Sequence, residues 1–450
     1  MFGGVEPLTY ARAQMGMSLA FHIVFAAVGV ALPMLMVLSD LRWRKTRDPE
    51  YLELSKRLAK GTGILFAVGA VSGTVLSFEL GLLWPRFMGT FGEAIGLPFA
   101  LEGFAFFTEA IFLGIYLYGR GRVSERLHLF SGVAVAVSGA LSAFFVTLVN
   151  AFMNDPAGVI EGRGGAMTFE PLRAMFSPSW AVQGVHVIVS CYQATAWAMV
   201  GIHAFFLLRD PLRTFHRKAL GIALPVACVA ALVQPLSGDR SAKHLALAQP
   251  TKLAAAEALF RTERAAPLHV GGWPDVEKQE IRGAIPIPYG LSFLAHGNPK
   301  SVVIGLDQTP RDEWPNVVAT RTAFQVMVGT GTAMAGVAGL VGLLVLLRRR
   351  RGQLGAPWPR PLLWALVAAG PLGFVALEAG WMVTEWGRQP WVVHGLLRTA
   401  DAVTTFPYKA APFWLFTVVY LFLGVVVAYL LGKQILASHA PAPGGSDHGN

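Results

Sequence analysis

The chain has 450 residues, 54% of them hydrophobic and 14% charged, with a formal net charge of +10 and a mean hydropathy of +0.50. A soluble chain of this length carries much more charge, so the composition excludes a soluble globular enzyme and points to a polytopic membrane protein. The basic excess lies in short connections between apolar runs and no DNA or RNA motif accompanies it, so a nucleic-acid partner is not expected.

Nine apolar runs are long enough to cross a bilayer as helices, at roughly 13–39, 60–83, 94–118, 128–153, 180–208, 218–236, 322–347, 361–385 and 411–432. The first has no basic leading segment and no small-residue cleavage site, so it reads as a retained helix. The two cysteines, Cys191 and Cys228, lie inside apolar runs and form no C-x-x-C pair. That excludes a disulfide framework, a thiolate metal site and a covalently attached haem.

Loop charge gives the orientation. The first connection holds Arg42, Arg44, Lys45, Arg47, Lys56 and Arg57, the third Arg120, Arg122 and Arg126, the fifth Arg209, Arg213, Arg217 and Lys218, and the seventh the run Arg348 to Arg351. The second has Arg86 and the fourth Arg163 and Arg173. The alternation predicts the N-terminus outside and the C-terminus inside. The layout is then a bundle of transmembrane helices over 1–236, an external connection over 237–320, helices again over 321–437, and a tail over 438–450 whose Pro/Gly/Ser/His composition predicts disorder. The long connection is expected to be an ordered external domain. It opens with an amphipathic helix around Pro250 to Glu263, and Ile285 to Gly290 reads as extended or turn structure.

Ionisable and metal-ligating side chains inside the apolar runs are the candidates for chemistry. His22 lies mid-way along the first run, and His186 within two turns of the start of the fifth. Met327 lies a turn or so into the seventh. Glu102 and Glu109, seven apart, share one face of the third run among Phe99, Phe104, Phe106 and Phe107. The eighth run closes on Gly380-Trp381-Met-Val-Thr-Glu385-Trp386-Gly-Arg388-Gln-Pro-Trp391, a carboxylate and a guanidinium among three tryptophans.

Each has a plain alternative. A lone membrane histidine packs and hydrogen-bonds, a lone methionine fills space, and arginine among tryptophans anchors a helix at the interface. Two carboxylates on one apolar face are harder to explain that way, because an unpaired one costs several kcal/mol in hydrocarbon. In the predicted topology His186, Met327 and Glu385 lie near the outer face, with His22 and Glu102 somewhat deeper. Histidine, methionine and carboxylate at one level of an aromatic-ringed bundle suit haem. Two function classes compete: a haem oxidoreductase, and a proton-coupled transporter with Glu102 and Glu109 as carriers. No inverted repeat supports the second.

The chain resembles subunit I of the cytochrome bd-type quinol oxidases over nearly its whole length. The resemblance is carried by Gly380 to Trp391, Ser77-Phe-Glu-Leu-Gly81 with Trp84-Pro85, Leu101-Glu102-Gly103 with Glu109, Gly184-Val-His186, and Thr251-Lys-Leu-Ala-Ala-Ala-Glu257. It implies two b-type haems, one low-spin and one high-spin, a third haem expected to be haem d, and quinol as substrate. His186 and Met327 match the axial ligands of the low-spin haem, and His22 and Glu385 those of the high-spin pair, in an order left open. Glu102 matches a carboxylate at that pair, Glu109 one on a proton path, and Trp381 an aromatic between haems, with Arg388 beside them. Lys252 and Glu257 match quinol-loop residues. The implied setting is a prokaryotic cytoplasmic membrane, with a second subunit of similar fold, a small single-helix subunit, lipid, quinol and dioxygen as partners. Two departures stand out: Gln325 occupies a place where some members carry Arg, and the connection lacks an insertion between about Asp307 and Arg321.

Overall fold

The computed structural model describes residues 7–161, 167–353, 355–405 and 410–437. Arg163 and the tail at 438–450 lie outside them. Four long helices come first: α1 Pro7–Thr46, α2 Pro49–Leu83, α3 Pro85–Tyr118 and α4 Glu125–Asn154. A two-stranded ribbon, β1 Val159–Glu161 with β2 Met167–Phe169, and the short α5 Pro171–Met175 lead to α6 Trp180–Arg209 and α7 Thr214–Ala248. The long connection holds α8 Pro250–Glu257, β3 Glu263–Arg264, β4 Leu268–Asp275, β5 Glu280–Ile287, α9 Gly290–His296 and β6 Val302–Val303. Strand β4 pairs antiparallel with β5, and β3 with β6. Then follow α10 Val317–Arg350, α11 Arg360–Ala369, α12 Leu372–Trp386, the ribbon β7 Trp391–Val393 with β8 Leu397–Arg398, α13 Thr399–Ala402 and α14 Ala410–Ala437.

Among the described residues nine spans are long and apolar enough to cross a membrane, with α11 and α12 together forming the eighth. The helical class and the span count thus match the sequence reading. Caps fix several starts. The Asp48 side chain accepts from Glu50 N ahead of Pro49, and Asn316 from Ala319 N, each satisfying a backbone donor that a helix start leaves orphaned. Prolines inside α1, α3 and α7 are tolerated because neighbouring helices re-satisfy the freed backbone groups. Exposed Phe104, Phe107, Ile111, Leu421, Phe422 and Val425 face where lipid would lie. The main core joins α1, α2, α6, α7, α10 and α11 through Leu35, Trp197, Leu220, Met334 and Leu366.

The eighth span breaks at Gly370-Pro371, and glycine lets α6 approach it there. A Cβ at Gly201 would stand 2.8 Å from Gly370 Cα, and one at Gly373 2.5 Å from Ala194 Cα. Backbone-to-backbone contact of this kind is how membrane helices pack closely.

One boundary differs from the sequence reading. The sixth apolar run ends near 236, but α7 continues for about three more turns. Hydropathy marks where lipid ends, not where a helix does. The extension is rich in Ala and Leu, carries an Asp239–Lys243 pair at 2.5 Å, and stops where Pro250 restricts Gln249. The non-helical part of the connection therefore opens at Gln249.

A second difference lies at α8. The expected amphipathic helix is only 8 residues long. It ends at Ala258, whose φ of 50° is left-handed, and every residue from Lys252 to Glu257 is buried.

Candidate functional site

The site is built from helix faces that leave polar atoms turned inward. On α1, His22 Nδ1 lies 2.9 Å from Ser72 Oγ of α2. The Ser72 hydroxyl also lies within reach of the Val68 and Gly69 carbonyls. The serine contact at Nδ1 orients the ring and leaves Nε2 on its other edge. A Cβ at Gly73 would be 3.1 Å from the imidazole, so glycine there makes room for the ring.

Helices α3 and α4 form the second wall. The seven-residue spacing sets Glu102 and Glu109 about 10 Å apart along one face of α3. Ser142 Oγ donates to Glu102 Oε1 at 3.1 Å. Glu109 packs on Gly139, where a Cβ would stand 3.2 Å from both carboxylate oxygens. Thr147 instead donates to the Ala143 carbonyl.

Helix α12 closes the space. A cavity of about 810 Å³ is lined by His22, Glu102, Glu109, Trp381, Glu385 and Arg388 together. The sequence reading missed a further member, Glu378, whose Oε1 is buried without a hydrogen-bond partner. Its signal was available: a carboxylate inside the eighth apolar run, seven residues before Glu385 and so on the same face. His186 and Met327 do not line this cavity.

Behind the cavity runs a buried polar chain. Arg388 Nη2 donates to Glu385 Oε2 at 2.6 Å and its Nη1 to Asn150 Oδ1 at 3.1 Å. Asn154 Nδ2 donates to Asn150 Oδ1 at 3.1 Å, and Lys252 Nζ donates to Asn154 Oδ1 at 2.8 Å and to the Thr384 carbonyl at 2.9 Å. Asn150 and Asn154 escaped the sequence reading, since amides at i, i+4 in an apolar helix carry no chemical signature of their own.

Lys252 and Glu257, five apart, project about 140° from each other around α8. Glu257 meets Arg321 of α10, whose Nη1 donates to the Glu257 carbonyl at 2.7 Å and lies 3.8 Å from its Oε2. Both carboxylate oxygens are buried without a hydrogen bond. Burial lifts the Glu257 carboxyl to about 7 against the pull of Arg321, and burial with the nearby Arg388 lowers the Lys252 ammonium to about 7. Arg321 Nη2 also donates to the carbonyls of His269 and Gly271, and Gln325 Oε1 accepts from Gly271 N. One turn of α10 thus grips β4 just ahead of Met327.

The second candidate pair sits elsewhere. His186 Nδ1 lies 2.9 Å from Ser237 Oγ, whose hydroxyl is also 2.8 Å from the Gln234 carbonyl. Its Nε2 faces the Gln234 amide at 3.1 Å. The Met327 sulfur would stand 3.1 Å from a Cβ at Gly380. Their helices α6 and α10 both pack on α7 and α12.

A family model described as cytochrome bd terminal oxidase subunit I matches residues 10–439. The chain belongs to that family. Among its relatives is a protein of Bacillus subtilis named as a cytochrome bd menaquinol oxidase subunit I, 38% identical over 95% of this chain and 96% of that protein. A cytochrome bd-II ubiquinol oxidase subunit 1 of Escherichia coli is 28% identical over 95% of this chain and 96% of that one. The solved bd oxidase of Geobacillus thermodenitrificans superposes with a TM-score of 0.89 at 37% identity, covering 98% of this chain and 100% of that one. Family membership decides between the two function classes: a terminal oxidase subunit is an oxidoreductase, and the transporter reading falls.

Cytochrome bd subunits imply haem, and these residues fit it. Both histidines have Nδ1 held by a serine, an arrangement that would present Nε2 to a metal, as is common for bound histidines. Arg388 takes Glu385 Oε2, which leaves Oε1 for a metal. The cavity volume falls within the roughly 300–1,000 Å³ of cofactor pockets.

Proposed function

We propose that the chain is the haem-bearing, quinol-oxidising subunit of an electrogenic terminal oxidase, with two separate haem regions. His186 and Met327 hold a low-spin haem b, and His22 and Glu385 hold a high-spin haem b and a third haem of the d type, with Trp381 between the regions. The observation that carries this reading is the single cavity that gathers His22, Glu102, Glu109, Trp381 and Glu385 and leaves out His186 and Met327. When bound, the haems supply electron transfer and reduction of oxygen to water.

The chain's own groups do the rest. Glu257, its carboxyl raised to about 7 by burial, is suited to accept a proton from quinol at the long connection. Lys252 belongs to the same short helix. Glu109 and Glu102, both on the cavity wall, pass protons along one face of α3, with Ser142 bonded to the second. Arg388 balances the Glu385 charge. The N-terminus lies outside, so quinol protons leave on the outer side while the protons for water come from inside. The setting is a prokaryotic cytoplasmic membrane, where the exposed apolar helix faces meet lipid, a second membrane subunit and a small single-helix subunit.

The test is a reduced-minus-oxidised spectrum of the purified oxidase with a pyridine-haemochrome assay. The expected result is a low-spin b signal that is lost in His186→Ala and kept in His22→Ala, with chlorin absorption in the red. Loss of all signals together in either variant would overturn the two-region assignment.

A further inference from the structure

The buried chain from α8 to α12 has one end in the quinol-side connection and the other at the cavity. Lys252, Asn154, Asn150 and Arg388 are all at most 8% exposed, although the resemblance groups Lys252 with quinol. In the structure both partners of its ammonium sit on helices that wall the cavity, beside lining residues rather than among them. Asn154 lies on α4, and Thr384 immediately precedes Glu385. Gly387 completes the seat, since a Cβ there would stand 2.9 Å from Lys252 Cγ.

The direction of each bond matters. An asparagine side chain has an accepting end and a donating end. By occupying Asn154 Oδ1, Lys252 turns Nδ2 toward Asn150, where it donates to the carbonyl at 2.8 Å and to Oδ1 at 3.1 Å. Gln249 holds the same asparagine by its backbone carbonyl. Asn150 is fixed from its other end, its Nδ2 donating to Gln183 Oε1 at 3.0 Å. Asn150 Oδ1 is thereby aimed at Arg388, which holds Glu385. Without the ammonium, Asn154 Oδ1 keeps only the longer 3.4 Å bond from Gln249 Nε2, and the chain loses its charged donor. The contact with Thr384 O adds a second hold, a cation on a carbonyl of the last turn of α12.

We infer that Lys252 is a positioning residue of the cavity: through Asn154, Asn150 and Arg388, and through the Thr384 carbonyl, it sets the place of the Glu385 carboxylate. The connection that receives quinol and the carboxylate at the oxygen-reducing haems are thus one mechanical unit. This rests on the reading of Glu385 as an iron-binding carboxylate.

The experiment compares Lys252→Met, Asn154→Ala and Glu385→Gln in the complete purified oxidase. It reads optical and EPR spectra together with kcat and KM for quinol. Lys252→Met keeps the packing and removes the ammonium. The expected result is an altered high-spin signal with the low-spin signal unchanged, and a kcat lowered roughly tenfold at a KM within about twofold of wild type. Asn154→Ala, which removes neither charge, should shift the same signal, and the Lys252→Met/Asn154→Ala double variant should be no worse than the worse single one, as for residues acting through each other. Should Lys252→Met fail to assemble, Asn154→Ala decides alone.

A raised KM with wild-type haem spectra in Lys252→Met, or a silent Asn154→Ala, overturns the proposal. Glu385→Gln separates the two failures. A silent Glu385→Gln spectrum removes the carboxylate from iron and the proposal with it. An altered Glu385→Gln spectrum beside a wild-type Lys252→Met spectrum overturns only the part given to Lys252.

Discussion

Replacing Glu257 with Gln tests whether a buried, protonated carboxyl docks the long connection onto α10. Glu257 is 1% exposed, neither oxygen has a hydrogen bond, and Arg321 Nη1 stands at 3.8 Å, too far to donate. Burial moves its pKa from 4.5 to about 7, which disfavours the ionised form by about 3 kcal/mol in the docked state. In the undocked connection the group returns to its ordinary value. Docking is therefore at full strength below about pH 4.5 and weakens as pH rises to about 7, because the docked state alone must keep or expensively lose the proton. Lys252 has the opposite sign and acts above that window, since its docked pKa is lowered to about 7. Glutamine keeps the shape and carries no titrating proton. The assay is limited proteolysis of the connection in lipid nanodiscs, taken as a wild-type to variant ratio at each pH so that the protease's own pH dependence cancels. The ratio of cleavage rates should climb by roughly two orders of magnitude across that window. A ratio that stays flat would refute the reasoning, because it would mean that Glu257 is not titrating against burial.

Three further outcomes follow from the helix faces. Met327→Leu keeps the volume and removes the sulfur that Gly380 makes room for, so the low-spin signal should vanish or become high-spin while the other haem signals persist; an unchanged spectrum removes Met327 from the ligands. Glu109→Gln retains the shape but carries no proton, and it should slow oxygen reduction and diminish the membrane potential built in proteoliposomes, whereas wild-type turnover and potential would take protons off this residue. Gly139→Val sets methyl groups against a carboxylate that a single Cβ already meets at 3.2 Å, so it should reproduce the slow turnover of Glu109→Gln with low-spin absorption intact, and normal turnover would show that the carboxyl need not sit on α4.

The architecture was legible because a bilayer demands helices of a certain length and apolar composition, and each of the nine apolar runs lies within one of the nine spans among the described residues. His22, Glu102, Glu109 and Glu385 stood out because ionisable groups in hydrocarbon need a reason to be there, and the structure brings all four to one cavity. What stayed hidden depended on contacts between distant segments. Nothing in Thr251 to Glu257 says that Lys252 turns toward Thr384, 132 residues away, or that Glu257 faces Arg321. The continuation of α7 beyond its apolar part was invisible to hydropathy, as was the brevity of α8, where alanines read as a long helix but Ala258 turns left-handed. Glu378 carries the same signal as Glu385, a carboxylate inside an apolar run about two turns earlier on the same face.

The glycine contact between α6 and the eighth span bears on how the oxidase is assembled. Gly201 against Gly370, and Gly373 against Ala194, bring two backbones together with no side chain between them to repack. The distance from the helix of His186 to the helix of Glu385 is therefore set at this contact by peptide atoms rather than by side chains. A larger residue at Gly373 would be felt as a failure of cofactor incorporation in the newly made subunit, at a point remote from every ligand.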